Sequence, residues 1–121
     1  MLNSEKPIFQ QIMEMIEDDI ISGTYQVNDI IISTTQISKL LSVNPTTSVK
    51  AVSNLAEEGV LYKKRGIGMC VAQGARDKIL ARRKKMFFEE AVPELLIEAN
   101  KLGISETELI QTIRKEKEQY D

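Results

Sequence analysis

Histidine is absent from the 121-residue chain and cysteine occurs once. Without histidine there is no histidine-dependent catalysis, and with one cysteine there is neither an internal disulfide nor a credible zinc ligand set, so no metal is expected. No apolar run approaches the roughly 20 residues of a membrane-crossing helix, and the N-terminus has neither the charged nor the apolar region of a secretory signal. A cytoplasmic protein without membrane contact is expected. A glycine-rich phosphate loop of the usual spacing is missing, as is a nucleophile paired with a base, so an enzyme is not expected and no cofactor is implied. Internal repeats and low-complexity segments are missing too. What remains is a chain with 42% hydrophobic residues, enough for one compact domain with a small appendage.

The formal charge of -2 by itself argues against a nucleic-acid partner, but its distribution does not. Residues 51 to 85 carry nine Lys or Arg against three Asp or Glu, a balance of +6, whereas residues 1 to 50 balance at -3 and residues 86 to 121 at -5. Charge segmented in this way would orient the molecule on a polyanion.

From Pro7 onward, Ile8, Ile12, Ile16 and Ile20 recur four apart with Phe9 and Met13 beside them, until Gly23 supplies a stop. This spacing predicts a core-facing helix, with Glu14, Glu17, Asp18 and Asp19 on a solvated acidic side. Ile30, Ile31 and Ile32 are β-branched and read as one short strand. Ser33 followed by Gln36 is a capping-box signal for a second helix, buried through Ile37, Leu40 and Leu41.

Asn44 to Leu55 is where function is expected to concentrate. Asn44 is a good N-cap, and Pro45 suits the first helical position, where its missing donor costs nothing. Val49, Val52 and Leu55 recur as an apolar stripe, which places Pro45, Thr46, Thr47, Ser48 and Lys50 on the exposed start and flank. Hydroxyls, one cation and the open amides of a helix N-terminus, with no carboxylate before Glu57, suit a polyanion. Ser42 and Val43 make the turn into it short enough for a helix-turn-helix. Taken alone, the stretch also fits an ordinary polar helix start, and the segments around it decide between the two.

Gly59 is expected to end the third helix. Val60 to Tyr62, the basic triplet Lys63, Lys64 and Arg65, the turn Gly66-Ile67-Gly68 and the return Met69 to Val71 read as a hairpin. Three helices followed by a hairpin is the order of a winged helix, with the triplet and the glycine tip placed to meet phosphate or a minor groove. Cys70, among apolar neighbours, reads as a buried strand residue rather than a redox sensor.

Gly74 closes this unit. The expected fold is therefore mainly α with a small β-hairpin: a winged helix-turn-helix over residues 1–74 and a short helical region over residues 75–121. Arg82, Arg83, Lys84 and Lys85 spread around a helix and read as a solvated linker or as extra phosphate contacts. Phe87, Phe88, Ala91, Leu95, Leu96, Ala99 and Leu102 have helical spacing interrupted by Pro93, which should kink or split the helix near Ala91 or Val92. Ser105 with Glu108 caps a further helix bearing Leu109, Ile110 and Ile113. So short a region cannot enclose a sizeable core. Phe87, Phe88, Ala91, Leu95, Leu102, Leu109 and Ile113 are thus expected to pack on a second copy, with docking onto the first domain as the alternative.

Pro7-Ile8-Phe9, Gln11-Ile12, Ile21-Ser22-Gly23, Val43-Asn44-Pro45-Thr46-Thr47, Leu55-Ala56-Glu57-Glu58-Gly59-Val60-Leu61 and Arg65-Gly66-Ile67-Gly68-Met69-Cys70-Val71 together resemble the N-terminal winged-helix domain of the GntR family of bacterial transcriptional regulators. The short tail, with Leu102-Gly103-Ile104-Ser105 and then acidic residues, resembles its small YtrA-like subgroup, which has a two-helix dimerisation region. The resemblance implies DNA contacts from Ser33 and Thr35, from Pro45, Thr46, Thr47 and Lys50, and from Arg65, Gly66 and Gly68. The exposed helix start and the basic triplet add Ser48 and Lys64 to the expected contacts. The chain departs from the family at three places. Ile32-Ser33-Thr34-Thr35 replaces Pro-Ser-x-Arg, Lys50 stands for an arginine and loses its planar fork, and Ile67 takes a place often held by Arg or Lys. Operator sequence is not transferred across such changes.

The resulting expectation is a homodimeric, sequence-specific regulator of transcription, a repressor, whose two third helices enter successive major grooves about 34 Å apart on a roughly palindromic site. Its partners are double-stranded DNA and its own second copy. A small-molecule effector would need a pocket between subunits or under the wing, and no residue names one. The alternative, motivated by the lost arginine and the acidic total charge, is a winged-helix protein-interaction module that does not touch DNA.

Overall fold

Apolar residues three and four apart bury one side of each of the first three helices, and the interior they share fixes the N-terminal unit. The computed structural model describes residues 5–120. In α1, Ile8–Ile21, the side chains of Ile12, Ile16 and Ile20 are buried, each contributing roughly 2 kcal/mol by leaving water. Ile8, at the open end, is exposed. Glu17 corrects the expected solvated acidic side: it is only 2% exposed, because helix geometry stacks it with Met13 and Ile20 on the inward face.

α2, Thr34–Leu41, starts with the expected capping box. The Gln36 amide donates to Ser33 Oγ at 3.2 Å and the Ser33 amide to Gln36 Oε1 at 3.0 Å. Ile37 is buried and Leu41 half-buried, but Leu40 is 70% exposed and does not join the interior as expected. The turn that follows passes through Ser42 in the left-handed region, φ 54°, and into α3, Pro45–Glu57. Gly59, with φ 77°, ends α3 as expected, and the Val60 amide donates back to the Leu55 carbonyl at 3.0 Å.

β1, Leu61–Lys64, and β2, Gly68–Val71, form the expected antiparallel hairpin, with Leu61 opposite Val71 and Tyr62 opposite Cys70. The strand expected at Ile30 to Ile32 is reduced to one bridge between Ile30 and Cys70. Its edge still holds to β2 through the Ile31 amide on the Met69 carbonyl, 2.9 Å, and the Val71 amide on the Asp29 carbonyl, 3.0 Å. On the opposite edge the Ile32 amide, which faces away from β2, donates to the Tyr25 hydroxyl at 3.2 Å.

α4, Ala75–Met86, begins where Gly74 was expected to close the unit. Ala75 and Ile79 nevertheless belong to the same buried cluster, and the compact unit reaches Ala81. Arg76 Nε donates to the Ile21 carbonyl at 3.0 Å and Lys78 Nζ to the Gly59 carbonyl at 3.4 Å. Both cations thereby meet carbonyls at helix C-terminal ends, where the backbone lacks partners and the dipole favours positive charge.

The second unit runs from Arg82. Pro93 divides the helical run where expected, with an element boundary between Ala91 and Val92. The turn Phe87–Ala91 widens to the π form, with the Val92 amide reaching the Phe87 carbonyl, before α5, Val92–Lys101. Proline has no amide to donate and its ring crowds the carbonyl four residues back, so one looser turn absorbs both defects. The Glu108 amide donates to Ser105 Oγ at 3.1 Å, the expected cap at the start of α6, Glu106–Tyr120. Among the described residues of this unit only Ala99 is buried. No helix among the described residues is long and apolar enough to cross a membrane.

Candidate nucleic-acid interface

The first turn of α3 is open to solvent. Asn44 Oδ1 accepts from the Thr46 amide at 2.9 Å, and the Asn44 carbonyl accepts from the Thr47 amide at 2.9 Å. Pro45 has no amide to satisfy. Pro45 and Thr46 are exposed and Thr47 is half-buried. Helical periodicity puts Thr46 and Lys50 one turn apart on the same side, and Lys50 is exposed as well.

Ser48 is a correction. It is 0% exposed, and Ser38 Oγ donates to its Oγ at 2.8 Å, so it locks α2 to α3 and cannot reach DNA from this position. The inward residues of α3 are Ser48, Ala51, Val52 and Leu55, a spacing of three, four and seven. Val49, expected in the apolar stripe, is 49% exposed. The signal that would have found the true face was available in Ala51, whose small side chain lets two helices approach as readily as a large one fills space between them.

At the start of α2, Ser33 and Thr35 are exposed. The Ser33 hydroxyl already accepts from the helix, which leaves its proton free to donate. In the wing, Lys63, Lys64 and Arg65 are exposed, and among the described residues none of the three is ion-paired. The turn closes through the Ile67 amide on the Lys64 carbonyl at 2.9 Å. Gly66 holds φ 79° and Gly68 φ 140°, values that a side chain would strain. Ile67, at the tip, is half exposed.

The wing's base is fixed more firmly than its tip. Cys70 is fully buried, as expected. Its cross-strand partner Tyr62 donates to Asn28 Oδ1 at 2.8 Å. Removal from water, and then the neighbouring Cys70 thiol, push the Tyr62 phenol above its usual range. β1 is tied to α3 through the Val60 amide, and the Ala72 amide returns to the Val60 carbonyl at 2.9 Å.

One partnership went unread in the sequence. The Lys50 ammonium lies 4.0 Å from the centre of the Phe9 ring. Forty residues of chain separate the two, and no local periodicity relates them.

Residues 8–71 match the family model described as bacterial regulatory proteins, gntR family. The sequence is 25% identical to the HTH-type transcriptional repressor YtrA of Bacillus subtilis over 112 residues, 93% of this chain and 85% of YtrA. That similarity runs past the family segment into the helical tail, as the resemblance to the small subgroup implied. A transcriptional regulator of the GntR family from Bacteroides thetaiotaomicron superposes with a TM-score of 0.75 at 32% identity, over 95% of this chain and all of that one. The AraR DNA-binding domain, solved in complex with operator ORR3, superposes with a TM-score of 0.53 at 30% identity, over 60% of this chain and 89% of that one. The chain belongs to the GntR family of bacterial regulatory proteins and is a DNA-binding transcriptional regulator, not an enzyme.

Proposed function

We propose that the protein is a cytoplasmic homodimer that represses transcription from a roughly palindromic operator. The observation that carries this reading is the uncovered start of α3, with Thr46 and Lys50 on one exposed side of it. Amides and the dipole at that end favour phosphate, while hydroxyls and a cation can reach base edges or backbone. Pro45, Thr46, Thr47 and Lys50 read the major groove. Ser33 and Thr35 fix the start of α2 on the backbone, and Lys64, Arg65, Gly66 and Gly68 hold the wing to flanking phosphates. The repressor assignment is supported by the name of YtrA, and the use of this fold on an operator by the AraR complex.

Dimerisation is assigned to the second unit. Phe87, Phe88, Leu95, Leu102 and Ile113 are each at least 48% exposed, Ala91 is exposed and Leu109 half-buried. A second copy is the simplest cover for them, and two-fold pairing would set the α3 helices about 34 Å apart, one turn of duplex.

Selection of bound duplexes from a random pool, followed by titration of the winner with Lys50→Ala, tests the reading. The variant folds normally, binds about five-fold or more weakly and shows a salt slope shallower by about one. Unchanged affinity across the salt series removes Lys50 from the contact set. A pool with no enriched motif at low salt returns the fold to the protein-interaction reading.

A further inference from the structure

Lys50 carries a positive charge on the exposed side of α3, and a lone lysine there would sample many rotamers. Its ammonium is instead seated 4.0 Å from the ring centre of Phe9, in the first turn of α1. A ring face attracts a cation through its quadrupole without neutralising it, as a carboxylate would. The charge therefore remains available to phosphate. Side chains on a helix lean toward its N-terminal end, so Lys50 held this way leans toward the turn that bears Thr46. Phe9 itself is half-buried rather than sunk among the isoleucines of α1, which keeps part of the ring at the surface where Lys50 can use it.

We infer that Phe9 is a positioning residue for DNA binding: it presents the Lys50 ammonium to the duplex already placed, so less freedom is lost when the complex forms. This rests on the reading of Lys50 as a DNA contact. Phe9 touches no DNA in this role and acts through Lys50 alone.

The test is a double-mutant cycle in the full-length chain, read on a duplex selected from a random pool by the unaltered protein. Phe9→Leu keeps an apolar side chain and removes the ring face, and it weakens binding about two- to five-fold. Phe9→Tyr keeps the ring and restores the affinity. In a Lys50→Ala background, Phe9→Leu has no further effect. A readout that needs no DNA accompanies the cycle: the Lys50 side-chain protons are shifted upfield by the ring current in the unaltered protein and in Phe9→Tyr, and relax to ordinary positions in Phe9→Leu. Equal weakening with and without Lys50 overturns the inference and leaves Phe9 a packing residue. Tighter binding by Phe9→Leu overturns it too, since the ring would then be holding the lysine back. If Lys50→Ala alone changes nothing while the ring-current shift is present, the DNA-contact reading of Lys50 has failed and the positioning role falls with it. A missing shift in the unaltered protein overturns the positioning role without touching that reading.

Discussion

Ser38 and Ser48 form a buried hydroxyl pair between two helices, and its removal should be felt asymmetrically. Ser48→Ala leaves Ser38 with an unsatisfied hydroxyl in the interior, at a cost of about 1–2 kcal/mol in urea denaturation. Changing both serines to alanine should recover part of that loss, because no orphan remains. A double variant as unstable as the sum of the singles would mean that the two sites act independently. The pair also shows where residue types mislead. Ser48 reads as surface chemistry and Val49 as core, yet a phase error of one residue, about 100° around the helix, exchanges them. Glu17 is invisible for a related reason: helical position places it inward, while its carboxylate and its acidic neighbours suggest water. Lys50 and Phe9 lie beyond any local pattern, since only the packing of α1 against α3 brings them together.

At the scale of elements, residues that act on their own neighbours were the readable ones. The Ser33–Gln36 box, the Asn44-Pro45 start, the Gly59 stop and the glycine-closed hairpin each follow from local backbone chemistry, and each is present. Segments whose fate depends on a distant partner were not. Ile30 to Ile32 keeps a single bridge, to Cys70 of β2, and how far such a segment pairs is set by a distant strand rather than by its own β-branched residues. Pro93 was readable as a disturbance but not as a π turn, a form that depends on how the preceding turn relaxes. The linker Ser42-Val43-Asn44 invites a test of its own. Ser42 sits at φ 54°, where an L side chain costs about 1–2 kcal/mol that glycine avoids, less the backbone entropy glycine brings. Ser42→Gly should raise stability by about 0.5–1 kcal/mol, seen as a higher urea midpoint with unchanged slope. A lower midpoint would mean that the serine side chain makes a stabilising contact of its own.

Across the whole molecule, the core of the N-terminal unit borrows its last side chains from α4. A fragment of residues 1–74 loses Ala75 and Ile79 from the interior along with Arg76 and Lys78 at the helix ends. It should be about 3 kcal/mol less stable than residues 1–81, mostly through the lost apolar burial. Sedimentation of the 1–81 fragment is expected to give monomers and the full chain dimers, and a stable dimer of the fragment would move the interface out of the helical tail. The scarcity of interior in that tail, where Ala99 alone is buried among the described residues, has a bearing on how such a regulator is dosed. When pairing is what shelters those side chains, folding of the tail and operator occupancy both depend on how many copies the cell holds. At low abundance, occupancy by such a pair would climb with roughly the second power of protomer concentration, so halving expression would lower it about four-fold.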